Sequence, residues 1–403
     1  MLLLGSESPH VSRESRGVPE VSGGRGGTPF RLLASAWHLA LRNLLQDRVR
    51  FVLSVVAVAL ALMLILFLLG LRAGVRRSSV VYLDNAPGSV AIMPPGGRTT
   101  STGSAQFLAP QVADAVASMP GVAQVIPILL TMGFSDLHGT KEVIKLVGYN
   151  AALGGGPWDL GEGREPATDD EVALDRILAR RHNLKIDDSF EVGGRTMRIV
   201  GLSNETASWT GSYAFARKTA VESIVLAPQG ASFLLVVPSP GTTPAELVRK
   251  LQAVPGTNVL LKSDVMSNDA AVVSGIVDQV ILVMVAAAFV VGALVVGMVI
   301  YTATKERRGE YGIVKAIGAG NGLLYEVVVF QSLASGSLGG LLGVAFAFAG
   351  RSIVTFLKPQ FLVIIEPSAI AATIVVGLVM ALAGGLAPAR SAGRLAPADV
   401  FRR

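Results

Sequence analysis

The side-chain types that most often do chemistry are few and scattered in this sequence. There is no cysteine among its 403 residues, which excludes thiol catalysis, disulfides, and zinc or iron–sulfur sites built on cysteine. Four histidines lie far apart, without the spacing of metal ligands: His10, His38, His138 and His182. The acidic run Asp169-Asp170-Glu171 is more typical of the charged start of a helix over 172–181 than of a carboxylate site. We therefore expect no catalytic or metal site.

Glycine-rich segments can also carry chemistry, because such loops often hold phosphate groups. The cluster 23–27 has no Lys-Ser/Thr pair after it, and the cluster 154–156 is followed by Pro157-Trp158, which would open a phosphate-binding helix poorly. The patterns G-x-x-x-x-G-K-[ST], G-x-S-x-G and H-E-x-x-H do not occur in the sequence. The sequence thus predicts a chain that is not an enzyme and that binds no cofactor itself.

Long windows without charge dominate the rest of the chain. Charged residues make up 16% of the sequence, against about 25% in a typical soluble protein. Four windows carry no Asp, Glu, Lys, Arg or His: 51–71, 279–304, 327–350 and 367–389. A helix over each would reach roughly 30 Å or more, which is enough to cross a bilayer. The composition predicts a polytopic α-helical membrane protein with four transmembrane helices, and the lack of ionisable groups disfavours ion-coupled transport.

The basic residues indicate how the chain is oriented. Seven arginines and four acidic residues precede the first window, and Lys and Arg recur in segments 305–326 and 390–403. The long segment 72–278 carries 18 basic and 20 acidic residues. Because Lys and Arg favour the cytoplasmic side, both termini are expected inside, with segments 72–278 and 351–366 outside. Orientation in a membrane then explains the net charge of +6 without a nucleic-acid partner.

The segments outside the windows differ in composition. Residues 1–29 are rich in Gly, Ser, Pro and Arg and are expected to be disordered. Residues 30–50 place their apolar side chains on one face, which predicts an amphipathic helix at the inner surface, or else an extension of the first span. The segments flanking the outer domain, 72–84 and 263–279, suit stalk helices that continue the spans, although flexible joints are the alternative.

The outer segment 72–278 predicts a mixed α/β domain. Two strand–helix–Pro-Gly–strand units, over 90–130 and 233–262, suggest a split βαβ subdomain assembled from both ends of the segment. The stretch between them would be an insertion. Within it, residues 190–200 alternate in polarity around Gly193-Gly194, which predicts a β-hairpin.

The third window carries small residues at helical spacing. Its glycines form two interleaved G-x-x-x-G patterns: Gly336, Gly339, Gly340 and Gly343. Small residues at this spacing let helix backbones approach closely. We expect helix packing here, either within one subunit or across a dimer.

The segment 305–326 joins the second and third windows, and its sequence is the most informative. A charged block at 305–310 is followed by an apolar turn at 311–317 and then by Gly318, which predicts a short amphipathic helix at the inner surface. Its sequence K-E-R-R-G-E-Y-G-I-V-K-A-I-G-A resembles the E-R-x-x-E-I-G-x-x-K-A-x-G-A signature of FtsX/MacB-type ABC transporter permeases, although Tyr311 stands where that family usually has Ile. The tail 388–402, the outer segment 172–203 and the layout of four spans are also similar to this family, and among its branches the chain looks most like the DevC-like one.

This resemblance implies a mechanism. Such permeases act as dimers, homomeric or heteromeric, in the bacterial plasma (inner) membrane, and each subunit docks on a separate ATPase that binds the ATP and Mg. The expected ATPase-coupling residues are Lys305, Glu306, Arg307, Arg308, Glu310, Tyr311, Gly312, Lys315 and Gly318. ATP-driven motion of the spans would pass mechanically through the stalks to the outer domain.

The sequence is compatible with three functions. The first is export or extrusion of a lipid, lipoprotein or amphiphilic substrate, with membrane lipid and an extracytoplasmic adaptor among the partners. The second is an FtsX-like relay that moves no solute and passes ATPase motion to an outer partner such as a cell-wall hydrolase. The third is a membrane-anchored sensor or adhesion domain without an ATPase. The substrate and the residues that contact it cannot be derived from the sequence.

Overall fold

The computed structural model describes residues 48–100, 106–306, 309, 313, 316 and 321–393. The helices that it defines are α1 (Arg48–Ser79), α2 (Val81–Asn85), α3 (Pro110–Ala117), α4 (Arg176–Arg181), α5 (Lys218–Val225), α6 (Pro244–Leu251), α7 (Lys262–Glu306), α8 (Asn321–Leu357) and α9 (Pro367–Gly393). The strands are β1 (Val90–Met93), β2 (Val122–Leu137), β3 (Thr140–Tyr149), β4 (Leu160–Gly163), β5 (Glu171–Asp175), β6 (Ser189–Val192), β7 (Arg195–Ser203), β8 (Ala207–Ser208), β9 (Gly211–Arg217), β10 (Phe233–Pro238) and β11 (Asn258–Leu261).

Four of the described helices, α1, α7, α8 and α9, are long and apolar enough to cross a membrane. Helix α1 packs along both α7 and α8, and α9 packs along the same two helices, whereas α7 and α8 hardly meet. The centre of the bundle is closed by buried side chains from all four helices: Leu62, Ile65, Val296, Val328 and Met380.

All four of these helices extend past the charge-free windows, and the extensions of α1, α7 and α8 are the longest. Helix α1 continues from the first window to Ser79 without a break, and α7 begins at Lys262, well before the second window. We call residues 72–79 of α1 and 262–278 of α7 the stalk segments. Helix α8 continues to Leu357, so the connection to α9 is the short segment 358–366, which we call the outer loop.

The chain between α1 and α7 folds into an α/β domain on one sheet, with strand order β11-β1-β10-β2-β3-β9-β5-β7-β4. Strand β10 lies between β1 and β2 and is antiparallel to both, and β1 lies between β10 and β11 and is antiparallel to both. Strands β1 and β2, joined through α3, are therefore parallel with one strand between them, and so are β10 and β11, joined through α6. The predicted split βαβ subdomain, assembled from both ends of the segment, is confirmed.

The insertion between the two units extends the same sheet. Strand β2 continues past its predicted end near residue 130 to Leu137 and forms a long hairpin with β3. Strands β6 and β7 form the predicted hairpin. Gly193 and Gly194 at its turn have φ of 59° and 78°, the positive values that a tight two-residue hairpin turn requires.

The prediction of a helix beginning at the acidic run 169–171 is wrong. Glu171 begins strand β5, and the helix α4 begins only at Arg176. Asp175 caps that helix by accepting a hydrogen bond from a backbone N–H of its first turn at 2.9 Å. Residues 172–174 are fully buried between β7 and β9, and this burial in the sheet interior outweighs the helical charge pattern.

Candidate functional site: the joint between the bundle and the outer domain

An ion pair ties the two stalk segments together at the edge of the bundle. Arg72 Nε donates to Asp278 Oδ1 at 2.7 Å, and Arg72 Nη2 donates to Asp278 Oδ2 at 2.5 Å. Two parallel N–H···O bonds fix direction as well as distance, unlike a single contact between flexible charges. The pair therefore holds α1 and α7 in one register where they leave the bundle.

The outer loop is seated on α1 next to this ion pair. Ile364 N donates to the carbonyl of Gly70 at 2.9 Å, and Val363 is 1% exposed. A Cβ added to Gly74 would lie 1.6 Å from the carbonyl oxygen of Leu362, so the two backbones are in direct contact. Gly70 and Gly74, one helical turn apart, thus form a cradle that binds the connection between α8 and α9 to α1.

Each stalk segment is also bonded to the outer domain. Ser208 Oγ donates to the carbonyl of Ser78 at 3.1 Å, which joins the end of α1 to strand β8. On α7, the carboxylate of Asp269 accepts from Thr100 N at 2.7 Å and from Thr100 Oγ1 at 2.6 Å. Lys262 Nζ donates to the carbonyl of Ala86 at 2.8 Å. Both stalk segments are therefore joined to the outer domain by direct hydrogen bonds.

A buried cation lies inside this joint. Lys145 of β3 is 4% exposed, and its Nζ lies 3.4 Å from Ser208 Oγ and 5.1 Å from the centroid of the Tyr213 ring. Burial lowers the pKa of Lys145 to about 8, while the negative charge of Asp269 acts in the opposite direction. At neutral pH the ammonium group is still mostly charged, so it places a positive charge where the sheet meets both stalks.

The glycines of α8 face two different helices of the same chain. A Cβ on Gly339 would lie 2.5 Å from Val58 Cβ, and one on Gly343 would lie 2.9 Å from the carbonyl oxygen of Ala59, both on α1. A Cβ on Gly336 would lie 2.9 Å from Ala381 Cβ on α9, whereas one on Gly340 would reach only Leu62 Cδ1, at 3.9 Å. Three of the four glycines therefore provide close helix contacts within one subunit.

Two protein-family models match this chain. A family model of the MacB-like periplasmic core domain matches residues 51–254, and one of the FtsX-like permease C-terminal region matches residues 282–397. An uncharacterized ABC transporter permease of Mycobacterium tuberculosis is 30% identical over 318 residues, which cover 76% of this chain and 85% of that protein. The chain belongs to the FtsX/MacB type of ABC transporter permeases.

Further relatives agree with this assignment. A second ABC transporter permease of M. tuberculosis is 26% identical over 349 residues, which cover 86% of this chain and 94% of that protein. A macrolide export ATP-binding/permease protein MacB of Yersinia pestis is 31% identical over 114 residues, which cover 28% of this chain and 18% of that protein. Membership of this permease family implies an ABC ATPase as the partner.

Two of the nine predicted ATPase-coupling residues lie at the other end of α7. Lys305 and Glu306 are exposed in its last turn. The remaining predicted residues are outside the described part of the chain: Arg307, Arg308, Glu310, Tyr311, Gly312, Lys315 and Gly318. The helix that ends at the predicted coupling segment, residues 305–326, is thus the one that carries Asp278 and Asp269.

The residues of the joint were not predicted from the sequence. Arg72 and Asp278 offered a signal, because each is the first charged residue outside a charge-free window. Gly70 and Gly74 have the spacing of small residues in close helix packing. Lys145 is the one charged residue in the otherwise apolar stretch 143–149, and nothing near it in sequence indicated its partners.

Proposed function

We propose that this chain is the permease subunit of an ABC transporter that couples a separate ATPase to the extrusion of a lipid, lipoprotein or other amphiphile. It lies in the bacterial plasma membrane with both termini and the segment 305–326 inside, as the distribution of Lys and Arg favours. ATP and Mg are bound by the ATPase. The chain itself contributes the transmembrane helices, the stalks and the outer domain, and it acts together with a second permease copy.

One observation carries this proposal: α7 connects the outer sheet to the coupling segment without interruption. Its 45 residues begin directly after strand β11 and end at Glu306, a helix of about 68 Å at 1.5 Å per residue. A continuous helix transmits displacement or rotation because its backbone hydrogen bonds resist bending. Motion imposed at Glu306 would therefore reach the sheet directly.

The bundle is also better suited to moving as a body than to conducting a solute. The four charge-free windows bring no ionisable side chain to membrane depth, and the bundle centre is closed by Leu62, Val296 and Met380. An amphiphile does not need a hydrated pore, because its apolar part can stay in the bilayer while the outer domain acts on its polar part.

The first test addresses the ATPase contact. The double variant E306K/E310K should lose co-purification of the ATPase, because reversing both charges replaces attraction by repulsion at the interface. Asp114, an exposed carboxylate on α3 of the outer domain, provides the matched control D114K, which should keep the ATPase. Membrane insertion should be the same in all variants. If the ATPase still co-purifies with E306K/E310K, the assignment of segment 305–326 as the ATPase contact is wrong.

The second test addresses the transported substrate. The complex of permease and ATPase in liposomes should release a labelled lipid or lipoprotein when ATP is added, and not with a non-hydrolysable analogue. If ATP is hydrolysed, no amphiphile moves, and an outer cell-wall hydrolase is activated instead, then the chain is a signalling relay rather than an extruder.

A further inference from the structure

A cavity of about 280 Å³ opens where the outer domain approaches the outer loop. The beginning of β3, the end of α4, the β8–β9 hairpin and the outer loop each contribute to its wall. The residues important here are Lys141, Glu142, Arg181, Trp209, Gln360 and Phe361. The cavity thus lies between the transmembrane part and the outer domain, and neither part forms it alone.

The position of the outer loop places this cavity at the membrane boundary. The loop is bonded to α1 at Gly70 and packed on Gly74, which flank Arg72, the first charged residue beyond the window 51–71. On the lipid side, the last turn of α8 leaves Phe356 86% exposed and Leu357 64% exposed. Large apolar side chains this exposed, directly before the loop, suit contact with acyl chains.

The wall of the cavity combines aromatic surface with excess positive charge. Trp209 and Phe361 are 42% and 36% exposed. Tryptophan favours the interfacial layer of a bilayer, and the phenylalanine adds apolar surface beside it. Glu142 is already engaged, since its carboxylate lies 2.7 Å from Arg181 Nη2 and 3.0 Å from His182 Nε2. Lys141 is exposed, and among the residues that the structure describes it has no ion-pair partner within 4.0 Å. The cavity therefore offers a cation that is available to a ligand.

The volume limits what can enter. Pockets that enclose a drug-sized molecule usually measure about 300–1,000 Å³, so this cavity can hold a headgroup but not a whole lipid. We propose that it binds the anionic headgroup of an amphiphile whose acyl chains remain in the outer leaflet beside α8. Lys141 pairs with the anionic group, and Trp209 and Phe361 pack against the adjoining glycerol or acyl carbons. This rests on the proposed function, for which it names the substrate class and the site of capture.

Trp209 allows binding to be measured in the full-length chain. The background variant W37F/W158F leaves Trp209 as the only one of the three tryptophans, and circular dichroism checks that this background folds. The protein is placed in nanodiscs of phosphatidylcholine that contain increasing fractions of headgroup-labelled phosphatidylglycerol, whose label quenches indole fluorescence. Labelled phosphatidylcholine is the reference probe. We expect quenching by labelled phosphatidylglycerol at a several-fold lower fraction than by the reference.

Variants of Lys141 give the decisive comparison. K141Q should raise the half-quenching fraction about fivefold, the effect of about 1 kcal/mol for one cation at a lipid surface, and K141R should restore it. K185Q, which removes another exposed lysine outside the cavity, should behave like the parent. Equal quenching by both lipids, or an unchanged K141Q, would overturn the proposal. Displacement of the lipid by inorganic phosphate at similar concentration would also overturn it, in favour of a site for free anions.

This test is independent of the transport cycle, because it uses neither ATP nor the ATPase. Loss of lipid selectivity in a chain that still extrudes amphiphile with ATP would reject the cavity and leave the proposed function intact. Selective binding by a chain that extrudes nothing would reject the proposed function and leave the cavity.

Discussion

Arg72 of α1 and Asp278 of α7 are 206 residues apart in sequence and share two hydrogen bonds, each from the first charged position beyond an apolar window. Their side chains are 32% and 22% exposed, so the pair is partly shielded from water. The α/β domain lies entirely between these two residues in the chain. The pair therefore closes the base of the domain and makes one unit of the two helices that carry it.

Breaking this pair should uncouple the outer domain from the ATPase. R72A or D278A should keep ATP hydrolysis but reduce amphiphile release per ATP by about tenfold, which corresponds to about 1.5 kcal/mol for a charged hydrogen-bonded pair. The charge swap R72D/D278R should recover much of the coupling. R77A is the matched control, because its ion pair with Asp84, 2.6 Å long, joins α1 to α2 rather than to α7. If R72A releases as much amphiphile per ATP as the parent, the Arg72–Asp278 ion pair is not needed for coupling.

Gly74 should tolerate no side chain. G74A would place a methyl group against the backbone of Leu362, so the outer loop must move, at a cost of about 2–3 kcal/mol. Thermal unfolding in detergent should show the loss, and chymotrypsin should cut faster at Phe361. G275A, on the stalk segment of α7 with nothing within 4 Å of its added Cβ, should be neutral or slightly stabilising. Equal thermal stability and equal cleavage of G74A and G275A would contradict the described contact between the outer loop and Gly74.

We expect opposite effects from alanine substitutions at the neighbouring positions Gly339 and Gly340. G339A places its methyl 2.5 Å from Val58 Cβ and should lower the melting temperature of the bundle, with a cost of about 1–3 kcal/mol. G340A, with its nearest atom at 3.9 Å, should be tolerated. The comparison separates packing inside the subunit from packing between copies: if G340A, but not G339A, changes the oligomeric state or stability, the close contact of α8 lies in the dimer.

Glu171 should make the outer domain sensitive to acid. Its carboxylate accepts hydrogen bonds from Arg164 at 2.7 and 2.5 Å and from Arg198 at 2.7 Å. The Arg164 hydrogen bonds lower the pKa of Glu171 to about 2 against the opposing effect of burial. Because the folded pKa lies below the usual value of about 4.3, this stabilisation is complete above that value and is lost as pH falls toward 2.

E171Q measures this contribution. At pH 7 it should destabilise the protein by about 1–2 kcal/mol, a modest value because both arginines are about half exposed to water. The difference between E171Q and the parent should shrink as pH falls below about 4. A difference in melting temperature that does not depend on pH would show that the charge of Glu171 is not what stabilises the fold.

Much of the fold could be predicted because its signals are local. The charge-free windows fix four apolar helices, and the Pro-Gly stops after α3 and α6 identify the split βαβ units. The acidic run at Glu171 led to the wrong prediction of a helix. Residues 172–174 are buried in a sheet that forms only in the folded chain, and this burial determines the secondary structure more strongly than the charge pattern does.

The joint could not be predicted, because its contacts link segments that are distant in sequence. Thr100 bonds Asp269 across 169 residues, and Ser208 bonds Ser78 across 130. Within its own segment, each of these is an ordinary polar residue, so the local sequence does not indicate its partner. Only the topology, which returns the chain to the base of the domain before α7, brings them to one place.

The most direct measurement asks on which side of the membrane the α/β domain and the segment 305–326 lie. Because the chain has no cysteine, single substitutions give unambiguous labels. Ser118 on the outer domain and Gly309 in the predicted coupling segment are both exposed. In intact spheroplasts, S118C should react with a membrane-impermeant maleimide, and G309C should react only after permeabilisation. Protection of S118C in intact spheroplasts, with labelling of G309C, would place the α/β domain in the cytosol and contradict transmission of ATPase motion to an outer domain.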